Sequence, residues 1–200
     1  MLARLILIRH GQSVWNAENR FTGWTDVDLS DKGVSEAEEA GNELSNEKID
    51  VVHTSDLIRA KRTAEIVMKS NVRSNGTVTK SDWRLNERNY GALQGLNKAE
   101  TADKHGAEQV QIWRRSFDVA PPEGESLEMT AERTIPYFEG EVLPDLESGA
   151  NVLVSAHGNS LRSIVMHIEG ISPEDIVSFE IKTGVPRYYD YSDGEISLIG

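Results

Sequence analysis

An uninterrupted apolar run that ends in a charged pair and a glycine places the strongest constraint on the fold. Residues 5–8 (LILI) have no polar break and are long enough for one buried strand, and Arg9, His10 and Gly11 follow at once. Ligands of open α/β sheets bind at the carboxyl ends of the strands, and Gly11 leaves room for close approach. Alone, the motif indicates either a histidine nucleophile beside an anion-binding arginine or an ordinary polar turn.

A second strand pattern with the same ending lies far along the chain. Residues 151–156 (NVLVSA) are followed by His157, Gly158 and Asn159. Two such strands, side by side in a parallel sheet, would bring two imidazoles into one pocket. Coincidence is a poor explanation, because the chain has only five histidines. The remaining three lack the strand–His–Gly context: His53, His105 and His167.

Strand patterns alternate with helical patterns along the whole chain. Strands are predicted at 5–8, 49–53, from 78 onward, and at 151–156, 179–182, 187–191 and 195–199. Helices are predicted from the cap at 30 to 44, at 57–68, at 99–117, from the cap at 126 to 138 with a kink at Pro136, and at 161–168. The expected fold is a three-layer α/β/α arrangement with a mostly parallel central sheet. No linker divides the chain, so residues 1–200 are predicted to form one domain.

Composition excludes several classes of function. The chain has no cysteine, which excludes disulfides, thiolate chemistry and cysteine-ligated metals, and no cluster with metal-ligand spacing points to a metal. No apolar run approaches the ~20 residues of a membrane span, and no signal peptide precedes the first strand, so a soluble cytoplasmic protein is expected. The net charge of −12 argues against a nucleic-acid or anionic-membrane surface and leaves salt adaptation open.

Candidate ligands for an anion follow the first motif and recur downstream. Small donors of the kind that bind phosphate or carboxylate oxygens come directly after His10: Ser13, Asn16, Thr22 and the backbone of Gly23. Arg59 lies near a helix start, where a cation opposes the helix dipole, and this unfavourable placement indicates a ligand. Arg62 fits a plain surface arginine equally well.

One carboxylate is well placed for proton transfer. Glu87 lies in an ordered-loop pattern over residues 84–98, which has two glycines, mixed charge and no helical period. The alternative for Glu87 is a surface ion pair with a neighbouring arginine.

These segments resemble a known family over nearly the whole chain and in the right order. The motifs that carry the resemblance are Arg9-His10-Gly11, Phe21-Thr22-Gly23-Trp24, Leu85-Asn86-Glu87-Arg88, the run from Tyr90 to Lys98, Trp113-Arg114-Arg115, and the run from Ala156 to Arg162. Together they resemble the cofactor-dependent phosphoglycerate mutases of the histidine phosphatase superfamily. The Arg-His-Gly motif alone indicates only the superfamily, whereas the Tyr90–Lys98 run and the Trp-Arg-Arg motif are specific to the mutases.

The resemblance implies a role for each matching residue. His10 would be the phosphorylated nucleophile and Glu87 the general acid and base. The transferring phosphoryl group would be surrounded by Arg9, Asn16, Arg59 and His157, with Ser13, Thr22, Gly23, Gly158 and Asn159 completing the pocket. The rest of the substrate would be held by Tyr90, Lys98, Arg114 and Arg115. His157, if protonated, would add positive charge.

The implied reaction interconverts 3-phosphoglycerate and 2-phosphoglycerate in glycolysis and gluconeogenesis. His10 would be primed by 2,3-bisphosphoglycerate, without a metal. Longer members of the family carry an insertion between residues corresponding to Pro121 and Ser126, and a tail beyond the position of Gly200. Because both features affect the lid and the subunit contacts, a monomer or a small homo-oligomer is expected.

Two other functions remain open from the sequence. A histidine phosphatase acting on a small phosphoester would share both histidines and Glu87, but would not need a second set of cations. A mutase must also hold a second anionic group, which Lys98, Arg114 and Arg115 would supply. A non-catalytic binding protein is disfavoured, because it would need neither histidine.

Overall fold

A six-stranded sheet forms the centre of the computed structural model, which describes residues 2–199. The strands are β1 (Ala3–Arg9), β2 (Val51–Thr54), β3 (Val78–Ser81), β4 (Val152–Ala156), β5 (Pro186–Ser192) and β6 (Glu195–Leu198). Their order is β3-β2-β4-β1-β5-β6. The first four in that order run parallel, and β5 and β6 add an antiparallel edge. The expected mostly parallel sheet is confirmed.

Helices cover both faces of this sheet. They are α1 (Val14–Ala17), α2 (Asp31–Glu43), α3 (Ile58–Ser70), α4 (Lys98–His105), α5 (Ala107–Arg115), α6 (Leu127–Tyr137), α7 (Leu143–Glu147), α8 (Gly158–Glu169) and α9 (Pro173–Ile176). Two of the predicted N-caps are confirmed, because Ser30 accepts a hydrogen bond from Gly33 N and Ser126 accepts one from Met129 N, each at 3.1 Å.

The apolar run of β1 is buried on both sides. Leu5 and Leu7 belong to the core cluster under α6 and α8, whereas Ile6 and Ile8 belong to the cluster under α2 and α3. Successive side chains of a strand point to opposite faces, so a strand covered on both faces must be apolar at every position. This double burial is why the run has no polar break, and it confirms the three-layer α/β/α class.

Two expected elements differ in the structure. The helix predicted over 99–117 is wrong as one element: α4 and α5 are separated at Gly106, whose φ of +89° favours glycine. The strand predicted over 179–182 is also wrong. Arg9 Nη1 donates to Ile181 O at 2.9 Å and Gly184 N donates to Arg9 O at 2.9 Å, so this segment bonds to the end of β1 rather than along a ladder.

The kink expected at Pro136 takes a different form. The helix continues through Pro136 to the end of α6 and then widens into a π-helical turn over Phe138–Val142 before α7 begins.

Two features are absent from residues 2–199. None of the helices there is both long and apolar enough to cross a bilayer. Nor do the described side chains include a group of three or more His, Asp or Glu suited to hold a metal ion.

Candidate active site

The two histidines that follow β1 and β4 lie next to each other. The parallel register pairs Arg9 with Ala156, and His10 N donates to Ala156 O at 3.0 Å, so the next residue on each strand emerges at the same edge. The ring centroids of His10 and His157 are 4.9 Å apart at an angle of 60°. Both side chains are buried. Residues 147 positions apart in sequence therefore lie side by side because the sheet aligns their strands.

The local bonds of His10 prepare one ring nitrogen as a nucleophile. Its Nδ1 lies 2.6 Å from Gly11 O. A carbonyl oxygen can only accept a hydrogen bond, so Nδ1 carries the proton and Nε2 keeps its lone pair. Burial and then the charges of Arg59 and Arg9 hold the pKa of His10 well below its usual value, against the opposing effect of the Gly11 carbonyl. His10 is therefore neutral near pH 7.

The His157 ring is oriented by a hydrogen bond with the Ser55 hydroxyl group. Its Nε2 lies 2.7 Å from Ser55 Oγ, whereas its Nδ1 is buried and has no hydrogen-bond partner among the described residues. Burial, followed by the charges of Arg59 and His10, lowers the pKa of His157 well below its usual value. These surroundings oppose the protonated form considered from the sequence. The positive charge around His10 therefore comes from arginines.

Arg59 and Arg9 bring that charge to the inner end of the pocket. Arg59 is only 1 % exposed, and its guanidinium donates to Gly23 O at 2.7 Å and to Thr25 O at 3.0 Å. Burial is the main reason that the pKa of Arg59 falls to about 10. Arg9 Nε is buried and has no partner within the described chain. Two cations are thus fixed beside the histidines while retaining capacity to bind an anion.

Glu87 is a buried carboxylate aimed at the same pocket. It follows a 3-10 turn over Trp83–Leu85 and accepts from Arg88 N at 2.8 Å and Asn159 N at 3.0 Å. Burial would raise the pKa of Glu87, but these bonds and the charge of Arg9 give a net lowering. The alternative of a surface ion pair is wrong, because Glu87 is only 8 % exposed and its carboxylate accepts hydrogen bonds from two backbone amides. The carboxylate is ionised and can accept a proton.

Most of the predicted site residues line one cavity of about 170 Å³. These are Arg9, His10, Asn16, Thr22, Gly23, Arg59, Glu87, Tyr90, Lys98, Arg114, Arg115, Gly158 and Asn159. Two predicted site residues do not line it. His157 is buried against His10. The Ser13 hydroxyl accepts from Asn16 N and the Ser13 N–H donates to Asn16 Oδ1, each at 3.1 Å. Ser13 therefore orients Asn16 and does not itself face the cavity.

The outer half of the cavity carries a second group of cations. Arg88, buried below it, donates to Tyr90 Oη at 3.0 Å and to Arg114 O at 2.8 Å, which fixes both residues in the wall. Burial lowers the pKa of Lys98, although Tyr90 opposes this effect. Arg115 pairs with Glu180 at 2.7 Å on the exposed rim.

Sequence reasoning missed two arginines, one phenylalanine and one segment of this wall. The lining residues that were given no site role are Arg20, Phe21, Arg162 and residues 179–181. Arg162 lies four residues, or about one helical turn, after Gly158 on α8. This spacing places both residues on the same helix face, and it could have indicated Arg162 from the sequence. Its Nη2 donates to Asn159 Oδ1, whereas its Nη1 is buried without a partner in the described part of the chain. Arg62 lies outside the cavity and pairs with Asp28.

The charge of the cavity is opposite to that of the protein. Seven arginine or lysine side chains and two glutamates line it, in a chain whose net charge is −12. Such local reversal attracts an anion and raises its local concentration. The two groups of cations, one beside the histidines and one toward the rim, suit a small molecule with two anionic ends.

Comparison with known proteins decides the family. The family model described as the histidine phosphatase superfamily (branch 1) matches residues 5–199. A 2,3-bisphosphoglycerate-dependent phosphoglycerate mutase from Protochlamydia amoebophila is 49 % identical, covering 97 % of each chain. The chain belongs to this family of mutases. It is therefore an isomerase of the histidine phosphatase superfamily.

This mutase is shorter than that relative within the matched region. The alignment runs over 222 positions but covers only 97 % of 200 residues, or about 194, so about 28 positions have no counterpart here.

Solved structures with the same fold include both mutases and phosphatases. A phosphoglycerate mutase from Bacillus anthracis superposes with a TM-score of 0.78 at 23 % identity, covering 99 % of this chain and 92 % of its own. A mycobacterial glucosyl-3-phosphoglycerate phosphatase superposes with a TM-score of 0.81 at 25 % identity, covering 95 % and 91 %. Since one fold supports both reactions, the residues in the cavity must distinguish them.

Proposed function

We propose that this mutase interconverts 3-phosphoglycerate and 2-phosphoglycerate by carrying a phosphoryl group on His10 Nε2. The observation that supports this most directly is the cavity itself. His10, buried against His157, lines it together with Arg9 and Arg59, and a further group of cations formed by Lys98, Arg114 and Arg115 lines it as well. A ligand held at both ends by opposite charge would present one phosphate to His10 while its carboxylate lies toward Lys98, Arg114 and Arg115.

The chain's own residues supply each part of the transfer. The lone pair of His10 Nε2 forms the P–N bond while the P–O bond breaks, and the departing oxygen keeps the electron pair. When a hydroxyl attacks phosphohistidine, the ionised Glu87 takes its proton, and in the transfer back to His10 Glu87 returns that proton to the departing oxygen. Arg9, Arg59 and Asn16 stabilise the negative charge on the phosphoryl oxygens in the transition state.

The unpartnered buried atoms of the site fit a bisphosphorylated ligand. Arg9 Nε, Thr22 Oγ1, His157 Nδ1 and Arg162 Nη1 are buried without a hydrogen bond from the described residues, and such atoms usually have one. Bound 2,3-bisphosphoglycerate would supply the phosphoryl group that first loads His10. Arg9 and Thr22 would hold one phosphate, and Arg162 lies where it could hold the other end. A role in glycolysis and gluconeogenesis predicts a cytoplasmic location, and we propose that residues 1–200 act as one domain.

A coupled assay tests the proposed function. Turnover of 3-phosphoglycerate to 2-phosphoglycerate is measured with and without added 2,3-bisphosphoglycerate, while release of inorganic phosphate is followed in parallel. We expect isomerisation to exceed phosphate release and to increase with the bisphosphate. His10→Ala should abolish both, whereas His167→Ala, a partly exposed histidine paired with Glu139, should leave both unchanged. Phosphate release faster than isomerisation would establish a phosphatase instead.

A further inference from the structure

Arg133 on α6 donates hydrogen bonds to the backbone segment that places Glu87 at the cavity. Its Nη1 donates to Arg84 O at 2.9 Å and to Asn86 O at 3.0 Å, and its Nη2 donates to Glu87 O at 3.0 Å. A planar guanidinium has five N–H donors in a fixed arrangement, so one side chain can hold three carbonyl groups of residues 84–87 in place. Arg133 is only 8 % exposed and is not one of the described residues that line the cavity.

The Glu125 carboxylate pairs with the same guanidinium. Glu125 accepts from Arg133 Nε at 2.9 Å and from Arg133 Nη2 at 2.8 Å, forming a bidentate pair. The same carboxylate accepts from Asn89 N at 2.8 Å, and Glu125 N donates to Asn89 O at 2.8 Å. The pair therefore fixes the chain both immediately before and two residues after Glu87.

The position of the Glu87 carboxylate depends on this backbone. One of its two amide donors is Arg88 N, which shares a peptide unit with the carbonyl that Arg133 holds. Trp24 Nε1 donates to the same carbonyl at 2.6 Å, and the Trp24 ring lies 5.6 Å from the Arg133 guanidinium. A shift of this peptide unit would move both the donor and the carboxylate.

We propose that Arg133 is a positioning residue for proton transfer by Glu87, a role that rests on the function proposed for Glu87. Arg133→Lys retains the positive charge opposite Glu125, but one ammonium group cannot hold three carbonyls in that geometry. Misplacing a catalytic group by about 1 Å costs up to about 100-fold in rate. We expect the lysine variant to slow steps that need a proton from Glu87 and to spare steps that do not.

Two phosphate donors separate these steps. 4-Nitrophenyl phosphate transfers its phosphoryl group to His10 with departure of 4-nitrophenolate, which leaves without needing a proton. Isomerisation of 3-phosphoglycerate needs proton transfer to and from an alkoxide oxygen. For Arg133→Lys we expect the initial burst of 4-nitrophenolate to remain within about twofold of wild type, while isomerisation falls by about 10- to 100-fold. An equal loss with both donors would mean that Arg133 only supports the fold, and no loss would overturn the proposal.

A double-mutant cycle assigns the effect to Glu87. If Arg133 acts through Glu87, Arg133→Lys should cost less than twofold in isomerisation when Glu87→Gln is already present. Multiplicative losses would overturn the proposal. Arg4→Lys is the matched control, because Arg4 pairs with Glu47 and with Asp190, each at 3.2 Å, does not line the cavity and should retain wild-type rates.

Two further experiments cover a variant that does not fold and a failure of the proposed function. If Arg133→Lys does not fold in a thermal melt, Glu125→Gln is measured instead. A loss confined to isomerisation supports the proposal, and an equal loss in isomerisation and in the 4-nitrophenolate burst contradicts it. If the wild-type protein does not isomerise phosphoglycerates, the proposed function fails. Cleavage of glycerol 3-phosphate, compared with the aryl phosphate, then still decides the role of Arg133, because its leaving group also needs a proton.

Discussion

Replacing Arg59 with methionine should stabilise the fold while removing activity. The pKa of Arg59 is lowered from 12.5 to about 10, mainly by burial. One pKa unit corresponds to about 1.4 kcal/mol, so the folded state carries a penalty of about 3 kcal/mol for the charged guanidinium. The penalty is fully present at pH 7 and declines only as the pH rises through about 10, because the unfolded chain then binds more protons.

The hydrogen bonds of Arg59 offset part of this penalty. Arg59→Met loses the donors to Gly23 O and Thr25 O, at about 1 kcal/mol each. Methionine fills irregular buried space well, so the packing cost is small. The net expectation is a gain of about 1 kcal/mol in the free energy of unfolding. For a chain of this length, that gain raises the melting temperature by about 3 °C.

Thermal unfolding and turnover together test this reasoning. Isomerisation by Arg59→Met should fall by about 100- to 1,000-fold, the usual cost of removing one group that stabilises a transition-state charge. Arg62→Met is the control on the same helix, α3. Arg62 is a partly exposed arginine paired with Asp28, and its replacement should change the free energy of unfolding by less than about 1 kcal/mol. If Arg59→Met lowers the free energy of unfolding by more than about 1 kcal/mol, the conclusion that the buried charge of Arg59 destabilises the fold is refuted.

Two further predictions concern the inner end of the cavity. In NMR spectra of the ligand-free protein, His10 should remain a neutral imidazole as the pH falls through 6.5, because burial and then the charge of Arg59 lower its pKa. The titration midpoint of His10 should rise in Arg59→Met. A protonated His10 at pH 6.5 in the wild-type protein would contradict the reasoning. Gly23→Ala should lower the free energy of unfolding by about 1–3 kcal/mol in a denaturant titration, because φ is +55° and the new Cβ would lie 2.2 Å from Gln94 Oε1. Gly76→Ala, with φ of +74° but open space around it, is the control that isolates backbone strain, and an equal loss there would contradict the steric explanation.

Local pattern was sufficient for the six strands of the described sheet and for the two histidines. Residues 5–8 and 152–154 are apolar because both faces of their strands are covered, and a histidine follows each strand. Parallel strands present their carboxyl ends at one edge, so the proximity of His10 and His157 follows from topology. Ser30 and Ser126 were likewise predictable, since an N-cap depends only on neighbouring backbone.

Residues that act through distant backbone could not be predicted in the same way. Arg133 contacts carbonyls 46 to 49 positions earlier, and no local pattern encodes that distance. Ser13 has the composition of a phosphate ligand, yet its hydroxyl is used to cap α1. The segment 179–182 has the composition of a strand, but its partners are atoms of Arg9 at the end of β1. Tertiary hydrogen bonds decided the cases of Arg133 and of residues 179–182, whereas a local cap decided the case of Ser13.

The attachment of both imidazoles to neighbouring strands limits how the enzyme can be altered. Because ladder bonds on each side fix the spacing of β1 and β4, no loop movement can bring His10 and His157 closer or separate them. The opposite rim is free of that constraint, since the side chain of Glu180 there is 70 % exposed and belongs to a segment without a ladder. A redesign that accepts a larger phosphate ester should leave the sheet and Ile181, whose carbonyl holds Arg9, intact and should change Phe179 and Glu180.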